Sequence, residues 1–268
     1  MKKDYEHRAR KRFGQNFLHD GGVISQIARA INAQADQHLV EIGPGKGALT
    51  KELLASGCQL DAIELDRDLV AMLKNTFIDQ NQFSLHSADA LNFDFSQIIN
   101  PGQQLRVVGN LPYNISTPLI LKLLDNAELI EDMYFMLQLE VVNRLAALPG
   151  SKAWGRLGVI AQYHCQVENL FEVPPSAFSP APKVQSAVVK LSPYKQCPYP
   201  QVDLDTLKKV VKVAFSQRRK TLRNTLREVV SAQNLEALGI EPSARAETLE
   251  LIQFIAIANH VSQSEKNQ

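Results

Sequence analysis

Asn110-Leu111-Pro112-Tyr113 places an amide acceptor, a proline-restricted turn and an aromatic ring on four consecutive residues. The Asn110 side-chain oxygen, with the backbone carbonyl of Leu111 or Pro112, suits the two N–H bonds of an amino group on a flat base. The nitrogen lone pair would then face an electrophile. Tyr113 can stack on the ring. A base must leave its stack to be modified, and aromatic stacking, worth about 1–3 kcal/mol per base, helps offset that cost.

Three more clusters supply what such a reaction needs. Val40-Glu41-Ile42-Gly43-Pro44-Gly45-Lys46-Gly47 joins an apolar run to a helical pattern. Its glycines let backbone turn sharply and approach a ligand. The spacing is G-x-G-x-G, and no G-K-[ST] follows, so it is not a P-loop. Glu64 ends the next apolar run, 21 residues after Gly43. An acid there accepts from ribose hydroxyls. Asp89, past the third run, suits an adenine amino group. Together Gly43, Glu64 and Asp89 specify an adenosine-bearing cofactor.

The elements that must position these residues follow from periodicity. Leu39–Ile42, Leu60–Glu64, Phe83–His86, Leu105–Val108 and Met133–Leu137 read as strands. Helical spacing falls between them, at Ile24/Ile27/Ala28/Ile31, Leu49/Leu53/Leu54, Leu69/Met72/Leu73 and Leu119/Leu123/Leu124. This alternation predicts an α/β domain with a mostly parallel sheet. A helix is expected over Trp154–Cys165. Val167–Val173 and Ser186–Leu191 are expected as a strand pair at one sheet edge. Beyond a proline-marked linker only helices are expected, over Leu204–Phe215, Thr221–Val230 and Arg245–Val261. The expected division is an α/β domain over 1–195 and a small all-α domain over 196–268.

Composition excludes several classes. The chain has 268 residues, 45% hydrophobic and 21% charged, an ordinary globular balance rather than a disordered one. No apolar run reaches the roughly 18 residues of a membrane span. The basic N-terminus has no apolar core after it, so no secretory signal is expected. Cys58, Cys165 and Cys197 are far apart and odd in number, which suggests reduced thiols in a cytoplasmic setting. The six histidines lack metal-ligand spacing, so no metal is expected. Net charge is only +1, yet residues 1–12 hold six Lys or Arg and residues 208–227 hold eight with no acid. Such segments can face a polyanion, or be a solvated helix face.

The motifs K-R-F-G-Q-N-F-L (11–18), V-E-I-G-P-G-K-G (40–47), I-E-L-D-R-D (63–68), N-L-P-Y-N-I-S (110–116), P-P-S-A-F-S-P-A-P-K-V (174–184) and Q-R-R-K-T (217–221) occur in order. In this the chain resembles the ribosomal RNA adenine N6,N6-dimethyltransferases, most closely the bacterial small-subunit type. The resemblance implies a Rossmann-like class I methyltransferase fold, with a mostly parallel seven-stranded sheet and an antiparallel edge. It implies S-adenosylmethionine as methyl donor. The implied substrate is two adjacent adenosines in the loop of the 3′-terminal hairpin of 16S ribosomal RNA, in an assembling small (30S) subunit. The resemblance also permits a role as a late assembly factor, and a monomer is expected because no exposed heptad or repeat suggests self-assembly. Implied cofactor contacts are Asn16, Leu18, Gly43, Glu64, Asp89 and Asn110. The implied base-facing residues are the Asn110–Tyr113 turn and Phe178. Lys46 is given no role.

Competing readings share parts of this pattern. A large-subunit dimethylase would carry isoleucine in place of Leu111. A DNA adenine methyltransferase would use an acid-led D-P-P-Y turn. A nicotinamide-dependent oxidoreductase is disfavoured by the glycine spacing and by N-L-P-Y.

Overall fold

The structure is a computed structural model that describes residues 15–100 and 102–266. The basic segment 1–12 and the first four residues of the K-R-F-G-Q-N-F-L motif lie outside them. The first half of the chain alternates as β1 (Phe17–Leu18), α1 (Gly21–Ile31), β2 (His38–Ile42), α2 (Ala48–Leu54), β3 (Gln59–Glu64), α3 (Arg67–Thr76), β4 (Phe83–Ser87), β5 (Leu105–Asn110), α4 (Ser116–Leu124) and β6 (Ile130–Gln138). The second half continues with α5 (Leu139–Leu145), α6 (Arg156–His164), β7 (Cys165–Val173), β8 (Phe178–Ser179), β9 (Ser186–Pro193), α7 (Leu204–Ala214), α8 (Leu222–Thr225), α9 (Ala232–Ala237) and α10 (Leu251–Lys266).

Local chemistry sets several of these bounds. Asp20 accepts from the Val23 N–H and starts α1, whose Ile24, Ile27 and Ile31 are buried on one face. Such a side-chain cap satisfies a donor the helix cannot. α1 stops at Asn32 in the left-handed region, with its N–H on the Ala28 carbonyl. Asp66 caps α3 through the Asp68 N–H, and α3 buries Leu69, Val70 and Leu73.

The seven-stranded sheet runs in the order β4-β3-β2-β5-β6-β9-β7. β2 is parallel to β3 and β5, β3 to β4 and β5 to β6, while β9 is antiparallel to β6. The mostly parallel sheet with an antiparallel edge is therefore what the chain forms, with the β9–β7 neighbours at that edge. β2 is buried along its whole length, as the centre of a doubly covered sheet requires. The order turns at β2, since β3 lies on one side of it and β5 on the other. Ligands bind in the crevice beyond the strand ends at such a switch point.

β1 and β8 form a separate two-stranded ribbon, antiparallel, with Leu18 opposite Phe178. Nothing in the periodicity anticipates it.

The second compact unit comprises 143–167 and 194–268. It differs from the expected 196–268 by taking in the segment around α6. Packing explains this. α6 contacts α7 and α10, and Trp154 is wholly buried, donating Nε1–H to the Leu249 carbonyl at 2.9 Å. Gly158 lies so close to Trp154 and the Arg144 carbonyl that a Cβ there would stand 2.7 Å from the latter. The helix expected over Thr221–Val230 shrinks to α8. Asn224 bonds the Thr221 hydroxyl, and the Thr225 hydroxyl reaches back to the Thr221 carbonyl. Such local bonds compete with helix continuation. Among the described residues no helix is long and apolar enough to cross a membrane.

Candidate active site

Consecutive strand ends converge on one cavity in the α/β unit. Asn16, Leu18, Gly43, Glu64, Asp89, Asn110, Leu111, Pro112 and Tyr113 all line it. The glycine loop leaves β2, and the Asn110 turn leaves the neighbouring β5. Register puts Glu41 opposite Val108, so the two loops emerge side by side. A Cβ at Gly43 would stand 3.7 Å from the Asn110 carbonyl.

The three loop glycines do different work. Gly43 and Gly45 have φ of 69° and 60°, a region that side chains rarely tolerate, and both line the cavity. Gly47 starts α2, and a Cβ there would meet the Phe77 ring at 2.8 Å. The displaced third glycine therefore serves packing rather than ligand approach. Lys46 has its Nζ 5.1 Å from the centre of the Phe17 ring.

Glu64 is buried at the cavity wall. It accepts from the Asp66 N–H at 2.8 Å and from the Gly45 N–H at 3.4 Å. Burial raises its pKa despite these bonds. Asp89 closes a turn after β4, accepting from the Leu91 N–H at 2.9 Å and from Asn92 Nδ2 at 3.0 Å. A carboxylate has about four acceptor positions, so a ligand amine can still be received.

The Asn110 side chain donates Nδ2 to the Asn16 carbonyl at 3.0 Å. That leaves Oδ1 as the end for an incoming donor. The Leu111 N–H bonds the Met136 carbonyl at 3.2 Å, and the Pro112 carbonyl accepts from both Ile115 and Ser116 at 3.1 Å. The turn thus consumes the carbonyl of Pro112 and not that of Leu111. The Tyr113 hydroxyl lies 3.3 Å from Ser186 Oγ on β9, which fixes the ring.

Phe178 is not among the residues that line the cavity. The residue is 4% exposed, in an apolar cluster with Val173, Ala177 and Val188, of which Val188 does line the cavity. The Phe178 backbone also matters, because β8 holds β1, which carries Leu18 and, just before it, Asn16 to the cavity.

The structure adds residues that motif reasoning passed over. Gln15 donates to Asp66 at 3.1 Å and anchors the N-terminal segment. Glu41 is fully buried at the cavity, with the Thr50 hydroxyl 2.6 Å away, and burial pushes its pKa up to about 7. Its signal in the sequence is an acid inside an otherwise apolar strand. Gly109 is the third. A Cβ there would come within 2.5 Å of the Ile42 carbonyl. A glycine within a strand marks such an approach.

Two solved structures share this architecture over nearly the whole chain. A dimethyladenosine transferase from Plasmodium falciparum superposes with a TM-score of 0.79, at 24% identity, covering 93% of this chain and 98% of that one. The 23S rRNA methyltransferase ErmE gives 0.72 at 25% identity, covering 92% and 100%. The fold is that of the Rossmann-like class I S-adenosylmethionine-dependent methyltransferases. Sequence narrows it further. Residues 6–263 match the family of ribosomal RNA adenine dimethylases, and the chain belongs to that family. Among its relatives, a protein of Pseudomonas aeruginosa named ribosomal RNA small subunit methyltransferase A is 57% identical over 100% of both chains. One of the same name from Hahella chejuensis is 58% identical over 95% of this chain and 93% of its own.

The activity is adenine N6,N6-dimethylation of ribosomal RNA, with S-adenosylmethionine as methyl donor. The cavity fits that donor. It is cationic at its sulfonium and amino groups, and the carboxyl groups of Glu41 and Glu64 line the cavity, both with pKa values pushed up by burial.

Proposed function

We propose that the chain dimethylates N6 of two adjacent adenosines in the loop of the 3′-terminal hairpin of 16S ribosomal RNA. The small (30S) subunit or its assembly intermediate is the substrate. The names of the relatives support the small-subunit reading. The observation that carries the chemistry is the tethered Asn110, with its Nδ2 committed to Asn16 and the Leu111 carbonyl left out of the turn's own bonds.

In this reading Asn110 Oδ1 and the Leu111 carbonyl accept the two N6 hydrogens. The aniline-like nitrogen is a poor nucleophile, because its lone pair is delocalised into the ring. Two acceptors held by β5 and the turn favour a tetrahedral nitrogen and aim its lone pair. The donor supplies an electrophilic methyl group for in-line displacement. The chain contributes positioning and electrostatics, without a strong general base. Pro112 stiffens the turn, and Tyr113 stacks on the base. Glu64 receives the ribose hydroxyls and Asp89 the adenine amino group of the donor. Asn16, Leu18 and Gly43 complete that site.

Arg218, Arg219, Lys220 and Arg223 are exposed and suit RNA phosphates. The C-terminal segment 196–268 carries them, and segment 1–12 adds to the same attraction. The same contacts would let the protein act as a late assembly factor that leaves once the hairpin is modified. It works as a cytoplasmic monomer without metal in this reading.

The test is incubation of unmethylated small subunits with labelled donor, followed by mapping of the modified nucleotides. Label in two neighbouring adenosines of the hairpin loop is the expected result. Label confined to large-subunit RNA overturns the proposal.

A further inference from the structure

Lys122 sits in the last turn of α4, partly buried. Its ammonium has no acid at hydrogen-bond distance. Nζ donates to three backbone carbonyls instead, those of Ala90 at 3.3 Å, Leu91 at 2.9 Å and Phe93 at 2.6 Å. It also lies 5.5 Å from the centre of the Phe95 ring. An ammonium has three hydrogens, and one loop takes all of them.

That loop follows β4 and carries Asp89. The peptide group between Ala90 and Leu91 is gripped at both ends. Its carbonyl faces Lys122, and its N–H donates to Asp89 Oδ1 at 2.9 Å. The C=O and N–H of a trans peptide point in opposite directions, so fixing one fixes the other. The orientation of Asp89 therefore depends on Lys122 through a single rigid plane. The helix bearing Lys122 begins at the Asn110 turn, since the Pro112 carbonyl accepts its first N–H groups.

We propose that Lys122 is a positioning residue that sets the Asp89 carboxylate and thereby the selectivity of the donor site for a 6-aminopurine. The proposal rests on the reading of Asp89 as the acceptor for the adenine amino group. Without the ammonium, three converging carbonyls repel one another. The peptide plane turns, and Asp89 loses one of its two anchors.

The test compares binding of S-adenosylhomocysteine with that of its inosine counterpart, in which oxygen replaces the 6-amino group. Titration calorimetry on the full-length chain measures both for wild type, Lys122→Met, Lys122→Arg and Asp89→Ala. A ratio of two affinities on one preparation is independent of the fraction folded. Wild type is expected to prefer the adenosyl ligand, and Lys122→Met to cut that preference about tenfold, the worth of one well-made hydrogen bond. Lys122→Arg, which keeps donors for the carbonyls, is expected to retain most of it. In methyl transfer Lys122→Met raises the donor KM and leaves kcat at saturating donor nearly unchanged. If Asp89→Ala loses the preference and Lys122→Met keeps it, Lys122 does not position Asp89. If Asp89→Ala itself keeps the wild-type preference, the assignment of Asp89 is wrong, and the proposal falls with it.

Discussion

Asn110 is tied by its Nδ2 to the backbone carbonyl of Asn16 at 3.0 Å, across the mouth of the cavity. One hydrogen bond thus joins the N-terminal wall of the donor site to the turn that receives the base. It also fixes which end of the amide faces the substrate. Asn110→Ala is expected to lower turnover about 100-fold or more, the scale of a lost positioning and electrostatic contact. RNA affinity should stay within about twofold. Asn110→Asp should be no better than Ala, because it replaces the donor to Asn16 with an acceptor. Single-turnover methylation beside a filter-binding assay checks this, and wild-type turnover in Asn110→Ala would remove the turn from the mechanism.

Tyr113 offers a ring and a hydroxyl with separable effects. Tyr113→Phe loses only the contact with Ser186 and should cost about 0.5–1.5 kcal/mol of stability, with little change in methylation. Tyr113→Ala loses the stacking face, worth about 1–3 kcal/mol per base, and should weaken productive RNA binding accordingly. Equal kinetics for the two variants would show that no base stacks there.

Glu41 makes stability depend on pH. Its folded pKa is about 7 against an ordinary value of 4.5, so the folded chain holds the extra proton between those values. Stability from this group is therefore greatest in acid and falls as pH rises from 4.5 through 7, by an amount on the order of 3 kcal/mol. The raised pKa of Glu64 acts in the same sense. Glu41→Gln keeps an oxygen for Thr50 and removes the titration. Urea unfolding at pH 5 and 7.5 should show the variant gaining on wild type at the higher pH. A pH-independent difference would mean that Glu41 is not a buried, titrating acid.

The basic loop after α7 can be counted in counterions. Replacing Arg218, Arg219 and Lys220 together with Ala should weaken RNA binding and flatten its salt dependence. Each lost phosphate contact lowers the slope of log K against log salt by roughly 0.7–0.9. Arg218 already donates to the Lys152 carbonyl, so part of its loss should appear as a looser loop. Unchanged affinity at several salt concentrations would take this loop out of the RNA surface.

The parts of the fold that sequence reveals are those with local periodicity. β2 to β6 and the helices between them repeat at fixed intervals, and their order places Gly43, Glu64, Asp89 and Asn110 at strand ends before any coordinate is known. What stays hidden is set by distant partners. β1 and β8 are two residues each, too short for any period, and each is a strand only because the other exists. Phe178 stands out inside its motif, but the apolar cluster that buries it is drawn from distant parts of the chain. Lys122 reads as an ordinary helix-end cation until the loop after β4 is folded against it. Segment 143–167 precedes the last strand of the sheet in sequence, and its place is set by distant contacts such as Trp154 on Leu249 and α6 on α7 and α10.

The β1–β8 ribbon has a consequence for the chain during its own synthesis. The wall that carries Asn16 is laid down first but waits for a strand translated near the end of the α/β unit. A nascent polypeptide that has emerged only as far as β6 has its glycine loop and its N-L-P-Y turn, but no finished pocket. Completion of that wall therefore requires the chain through Ser179.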